Sequence, residues 1–273
     1  MRVAIIGGTG QMGGWFTKYF SKQGASVIVS GRNKEKLLKI RDEFGVEIAD
    51  NVNIVEGADR VLICVSIENF EDVVKEIHSN VEPHQIVMDI CSIKELPVDI
   101  MHKYLGEAVT LGTHPMFGPS ADSLENQNFV LTPTHDRERQ FANDFKQWLE
   151  VRKARVSIMS PKRHDQLMSV ILGLAHFVGA VACDTLLSQS DFVEMNKVAG
   201  PSYKTLLKLA EGVTSQDPSF YASLQMNLPK VEEIESLFYE KAGEWLNIVK
   251  KKDRLLLANK MKSVKKKLEG YES

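Results

Sequence analysis

Over the first half of the chain, short apolar runs rich in β-branched residues alternate with helical patterns; beyond about residue 160 only helical periodicity remains. Residues 3–6 read as a strand, followed by a glycine-rich turn and a helix over 11–22. A second strand over 27–30 and a second helix over 34–44 come next. The continuous apolar run 61–65 fits a strand buried on both faces. A helix over 70–79, strands over 86–89, 108–111 and 129–132, and a helix over 136–149 complete the series. Strands separated by helices require right-handed crossovers, and so a mostly parallel, doubly wound α/β sheet of the Rossmann type.

The second half opens with a helical stretch over 161–189 and is punctuated by Pro161, Pro201, Pro218 and Pro229. The expected division is an α/β domain over 1–158 and an all-helical domain over 159–273. The apolar stretch 170–187 is interrupted by His176 and Asp184, which predicts a buried helix and not a membrane span. Together with apolar stretches at 206–209 and 231–238, it exceeds what one short bundle covers, which predicts a two-fold homodimer through this half. The lysine-rich segment 250–267 reads as a solvated helix face.

Composition narrows the class. The 273 residues are 43% hydrophobic and 26% charged, as in an ordinary globular protein. A formal net charge of −2 gives no reason to expect nucleic acid or an acidic membrane as partner. Cys64, Cys91 and Cys183 are odd in number and widely spaced, with no disulfide framework or metal-ligand cluster, which favours a reducing cytoplasm. The first residues already form a strand, so no signal peptide is expected.

The first chemical motif is Gly8-Thr9-Gly10-Gln11-Met12-Gly13, extended backwards by Gly7. Glycines at this spacing, after a strand and before a helix, allow a tight turn, close approach of backbone to a pyrophosphate, and helix-on-strand packing. The phosphate then meets the free N–H groups of the helix start. Val65 and Ser66, at the end of the 61–65 run, are expected on the same cofactor. At the end of the second strand stands Ser30-Gly31-Arg32-Asn33, with no acid before Glu35. A carboxylate there would hold the ribose hydroxyls of NAD, whereas Ser30, Arg32 and Asn33 suit a ribose phosphate, so NADP is favoured over NAD.

Two more motifs lie at carboxyl ends of strands, where ligands bind in such sheets. In Asp89-Ile90-Cys91-Ser92-Ile93-Lys94-Glu95, Ser92 can cap a helix with Glu95 completing a capping box, but capping leaves Asp89 and Lys94 unexplained. In His114-Pro115-Met116, placed in a loop after the strand 108–111, the proline restricts His114 to an extended conformation. His114 is thereby either a structural loop residue or a general base, and the neighbouring cofactor loop favours the base. Further on come His164-Asp165 and His176-Phe177. At 100° per residue, His176 shares a face with Ser169, Leu172, Gly173, Gly179, Ala180 and Cys183, and the small residues leave either a ligand recess or room for ordinary core packing.

The glycine loop, Asp-x-x-Ser-x-Lys, Thr-His-Pro-Met-x-Gly, and His-Asp followed by His-Phe, in this order over roughly residues 1–230, resemble the prephenate dehydrogenase family. The resemblance implies oxidative decarboxylation of prephenate or arogenate toward tyrosine, with hydride passing to NADP or NAD. It implies that His114 takes the ring hydroxyl proton, that Ser92 hydrogen-bonds the histidine or that hydroxyl, and that His176 lines the substrate pocket. The family commonly has an arginine five residues before the Asp of a segment that here reads Gln216-Asp217-Pro218; this chain has Gly212 there, with Lys204 and Lys208 as replacements. No regulatory or chorismate mutase segment is expected, nor feedback control by tyrosine. The alternatives are another NADP-linked reductase, of the deazaflavin:NADP oxidoreductase type, and a non-catalytic nucleotide-binding protein.

Overall fold

The computed structural model of the chain describes residues 1–215 and 217–271. In chain order its first part runs β1 (Arg2–Ile6), α1 (Gln11–Lys22), β2 (Ser26–Ser30), α2 (Lys34–Phe44), β3 (Glu47–Ile48), β4 (Arg60–Ile63), α3 (Ile67–Ile77), β5 (Ile86–Asp89), α4 (Glu95–Tyr104), β6 (Val109–Pro115), β7 (Asn128–Thr132), α5 (Asp136–Glu150) and β8 (Arg155–Ile158). These strands form one eight-stranded sheet in the order β3-β2-β1-β4-β5-β6-β7-β8. All neighbours are parallel except β6 and β7, which run antiparallel. Because side chains alternate across a strand, β1 feeds both faces. Val3 and Ile5 join Phe16, Phe20, Leu37, Phe141 and Phe145 on one side. Ala4 and Ile6 join Phe70, Val74, Val98 and Met101 on the other. The result is a doubly wound α/β sheet with helices on both faces.

The second part is helical: α6 (Pro161–Met168), a π-helical turn over Ser169–Leu174, α7 (Ala175–Leu187), α8 (Phe192–Lys197), α9 (Pro201–Thr214), α10 (Pro218–Asn227), α11 (Val231–Lys250) and α12 (Arg254–Glu269). Pro161, Pro201 and Pro218 each occupy the first turn of a helix, where a missing N–H costs nothing. A small core of Ile93, Met168, Leu224, Leu228 and Val231 ties these helices to the segment before α4.

Several expectations need correction. Strand β6 extends to Pro115, so His114 is a sheet residue paired with Val130, not a loop residue. Nothing in the hydrophobic pattern of Gly112-Thr113-His114 announces a strand, because its partner β7 comes from the far side of a loop. β3 and β8 lie outside the expected elements, because β3 is two residues long and the outward residues of β8 are polar; the helix that Ser92 could cap is present as α4, starting at Glu95. The long apolar helix is largely unburied in the single chain, with Val170, Ile171, Val181 and Leu187 45–60% exposed. Its π turn also shifts the side-chain phase. Gly173 and Gly179 do not leave a recess beside His176, since a Cβ on them would stand 2.7 Å from Val231 and from Val213 respectively. The small residues serve close helix packing instead.

Candidate active site

The glycine loop is shaped by close contacts. Gly7 has φ +83, and a Cβ there would stand 2.5 Å from the Cys64 carbonyl oxygen. A Cβ on Gly13 would stand 2.3 Å from the Gly7 carbonyl oxygen, so only glycine lets α1 sit this close to the turn. The N–H groups of Gly7 and Gly8 donate to the Ser30 carbonyl at 3.1 and 2.9 Å, fixing the loop to β2. Gly10 begins α1 with no side-chain cap, and the first turn holds no acid. The free N–H groups of α1 therefore offer an anion site at the point where strand order reverses between β1 and β4.

At the end of β2 the expected phosphate ligands divide. Ser30 is buried, and its hydroxyl donates to Asn51 Oδ1 at 2.7 Å, while Asn51 in turn donates to Glu76. Asn33 caps α2, accepting from Lys36 N at 2.9 Å. Arg32 is exposed and makes no ion pair among the described residues, whereas Ser30 is buried with its hydroxyl spent on Asn51 and Asn33, although exposed, spends its side-chain oxygen on the cap of α2. Thr9 packs over Gly31, where a Cβ would stand 2.6 Å from its hydroxyl.

The carboxyl ends of β5 and β6 carry a buried polar network. The Lys94 ammonium contacts the Asp89 carboxylate and donates to the Thr113 carbonyl at 2.6 Å, with both charged side chains fully buried. Asp89 also accepts from the N–H groups of Cys91 at 2.8 Å and Thr113 at 3.3 Å. The strand bearing His114 is thus anchored to the strand before it. Asp165, on α6, accepts from the backbone N–H groups of Lys94 at 2.7 Å and Glu95 at 2.9 Å. α4 is capped in trans by this carboxylate and not by Ser92.

The same carboxylate starts a relay. His164 Nδ1 lies 2.7 Å from Asp165 Oδ1, and His164 Nε2 lies 2.8 Å from His114 Nδ1. An ionised carboxylate only accepts, so neutral His164 carries its proton on Nδ1 and accepts at Nε2. His114 therefore donates through Nδ1, which leaves its Nε2 lone pair free. Burial, then the neighbouring His164 and Lys94, push the His114 pKa well below the ordinary 6.5. Burial also lowers His164, although the Asp165 hydrogen bond opposes it. His114 is thereby neutral and able to accept a proton at physiological pH.

His114 opens on a cavity of about 530 Å³ between the two halves of the chain, shared with Gln11, Met12, Val65, Ser66, Ser92 and His176. Ser92 and His114 share this wall, with no hydrogen bond between them among the described residues. His176 reaches it from α7; its ring stacks on Tyr221 at 6.2 Å, and its buried Nδ1 has no partner. Burial lowers its pKa as well. The cavity is also lined by Asp217, the acid of the segment singled out before α10, and by Phe220, Ser223 and Leu224 of α10, which sequence reading missed because apolar and hydroxyl residues on a helix carry no motif. Lys204 and Lys208 are exposed on α9 and do not line the cavity of the single chain. Gly212 is exposed on the same helix, and Gln216 lies outside the described residues.

The comparisons agree across both halves. The family model described as prephenate dehydrogenase, nucleotide-binding domain, matches residues 16–158, and that of the prephenate dehydrogenase dimerization domain matches residues 160–263. The chain is 36% identical over 258 residues to a protein of Methanocaldococcus jannaschii named probable arogenate/prephenate dehydrogenase, covering 93% of this chain and 58% of that one. It spans about three fifths of the length of the curated relatives it matches. Among solved structures, prephenate dehydrogenase from A. aeolicus, in complex with hydroxyphenyl propionate and NAD+, superposes with TM-score 0.80 at 24% identity over 99% of this chain and 98% of that one, and so shares its fold. An F420-dependent NADP reductase of Methanothermobacter thermautotrophicus is 34% identical over 77 residues, only 25% of this chain and 33% of that one.

Proposed function

The chain belongs to the prephenate dehydrogenase family, and from that premise we propose that it oxidatively decarboxylates prephenate or arogenate, with NADP preferred to NAD, as a step toward tyrosine. The observation that carries this reading is the Asp165–His164–His114 relay, which leaves His114 neutral with a free Nε2 beside the cavity. The deazaflavin-type alternative is not favoured, because likeness to that reductase covers only 25% of this chain. We assign residues 1–158 to the cofactor and 159–273 to substrate and dimerisation.

The uncapped start of α1 and the glycine contacts fit a dinucleotide pyrophosphate. Gly8, Thr9, Gly10, Gln11, Met12 and Gly13 would hold it, with Val65 and Ser66 beside the nicotinamide and Arg32 on the ribose phosphate. The nicotinamide, when bound, supplies the acceptor for the hydride from the ring carbon that bears the hydroxyl. His114 Nε2 takes the hydroxyl proton as the carbon–oxygen double bond forms. The ring carboxylate leaves as carbon dioxide, its bonding electrons pass through the ring to the carbonyl oxygen, and that oxygen recovers the proton from His114, so that the aromatic product makes the step effectively irreversible. Ser92 orients the hydroxyl, and His176 lines the substrate side of the cavity. Nothing cationic from α9 reaches the cavity within one chain, so Lys204 or Lys208 would act only where α9 of a second copy approaches.

The dimer reading rests on the uncovered apolar residues of α7 and the name of the matching C-terminal domain model. The helix running from Pro161 to Leu187 is long and apolar enough to cross a membrane, and we assign its exposed face to this interface. Free cysteines at all three positions support a cytoplasmic location.

The test is purified protein mixed with prephenate or arogenate and NADP or NAD, following absorbance of the reduced nicotinamide. Turnover with at least one pair is expected, and faster saturation by NADP. Arg32→Ala should weaken NADP about tenfold, the size of one charge-assisted hydrogen bond, and leave NAD nearly unchanged. Equal losses for both cofactors would contradict the Arg32 assignment, and no turnover with any pair would contradict the activity.

A further inference from the structure

Near the opposite end of β6 from His114, three side chains able to bind a metal converge from separate elements. His102 lies in the last turn of α4, His135 immediately precedes α5, and Glu138 lies in the first turn of α5. Their ligand atoms all lie within 4.8 Å of one another. His102 Nε2 stands 2.7 Å from Glu138 Oε1, and the two imidazole rings are 4.6 Å apart. Thr110 of β6 donates to Glu138 Oε1 at 2.6 Å, and Thr134 donates to Oε2 through its N–H at 2.7 Å and its hydroxyl at 2.9 Å. Burial opposes ionisation of Glu138, but the hydrogen bonds from His102, Thr110 and Thr134 outweigh it and hold the carboxyl at about 2.

We propose that His102, His135 and Glu138 form a binding site for a divalent transition metal of the zinc class. Two imidazole nitrogens and one carboxylate oxygen are a donor set that zinc accepts, with the fourth position left to water. Imidazole donors favour zinc, copper or nickel over magnesium or calcium, which take oxygen ligands. Metal–ligand bonds of about 2.0–2.2 Å place tetrahedral ligands roughly 3.3–3.5 Å apart. His102 and Glu138 therefore need to separate by less than about 1 Å, and the exposed His135 ring to swing inward. The hydrogen bond between His102 and Glu138 is replaced by bonds to the ion as it enters. Thr110 and Thr134 already orient the carboxylate, as outer hydrogen bonds do in metal centres. Thr110 is four residues from His114 along β6, roughly 13 Å, so the ion does not touch the reacting atoms. It braces α4 to α5 around the amino end of the strand that carries the base.

The test is calorimetric titration of metal-stripped full chain with zinc chloride at neutral pH, alongside thermal melts. One ion per chain and a raised Tm are expected. His135→Ala, at an exposed position, should weaken uptake at least about tenfold and remove the rise in Tm. Absence of saturable uptake by the unaltered chain would overturn the proposal. So would uptake unchanged by His135→Ala, or uptake lost instead in His114→Asn, which would move the ion to the cavity.

Discussion

Lys94 shows how the site depends on single groups. Its side chain is wholly buried, with the ammonium between the Asp89 carboxylate and the Thr113 carbonyl. A buried ion pair contributes little net stability by itself, yet removing one partner leaves an uncompensated charge. Lys94→Met should therefore destabilise the protein by about 3–5 kcal/mol in denaturant unfolding, and disturb β6 directly below His114. A loss under about 1 kcal/mol would mean that Asp89 finds another partner or takes a proton. The clustering of Asp89 and Lys94 was visible in the sequence as something capping could not explain; their burial as a pair was not, because Thr113, which closes the network, comes from the next strand.

Among the elements, α4 and α6 are joined by one carboxylate with two tasks. Asp165 caps α4 through two backbone N–H groups and fixes the His164 tautomer that orients His114. Asp165→Asn has too few acceptors for both, since one amide oxygen replaces two carboxylate oxygens and its NH₂ can only donate. Turnover should fall on the order of 10²-fold or more while NADP affinity holds, since a wrong tautomer disables a base without emptying the pocket. A lowered Tm with unchanged kcat would reduce Asp165 to a cap. The alternation of strands and helices up to α5 was legible because period-2 and period-3.6 patterns sit between glycines and prolines: α1, α2 and β5 fall where the periodicity puts them. His114 and His176 reach a common cavity, as their motifs suggested. What was illegible depended on partners distant in sequence. β8 and the last residues of β6 are strands by virtue of β7, the trans cap joins residues 70 and 71 positions apart, and the π turn breaks the wheel on which the small residues of α7 were placed.

At the scale of the whole molecule, two halves of different construction meet at one cavity, a usual place for ligand sites. The helical half leaves Val170, Ile171, Val181, Leu237, Leu246 and Val249 uncovered. Apolar surface on this scale is covered in stable proteins, and a second copy is the covering we propose. Light scattering at micromolar concentration should give twice the chain mass of 30.7 kDa; a monomer would contradict the dimer. A catalytic cleft made by the two halves together, with His114 as its base, leads to one expectation above the others. The measurement that tests it most directly is turnover of His114→Asn on prephenate or arogenate beside NADP binding by the same protein. Asparagine keeps the hydrogen bonding and cannot accept the proton, so turnover should fall by about 10²–10⁴-fold with NADP affinity intact. Near-normal turnover by this variant would contradict the account.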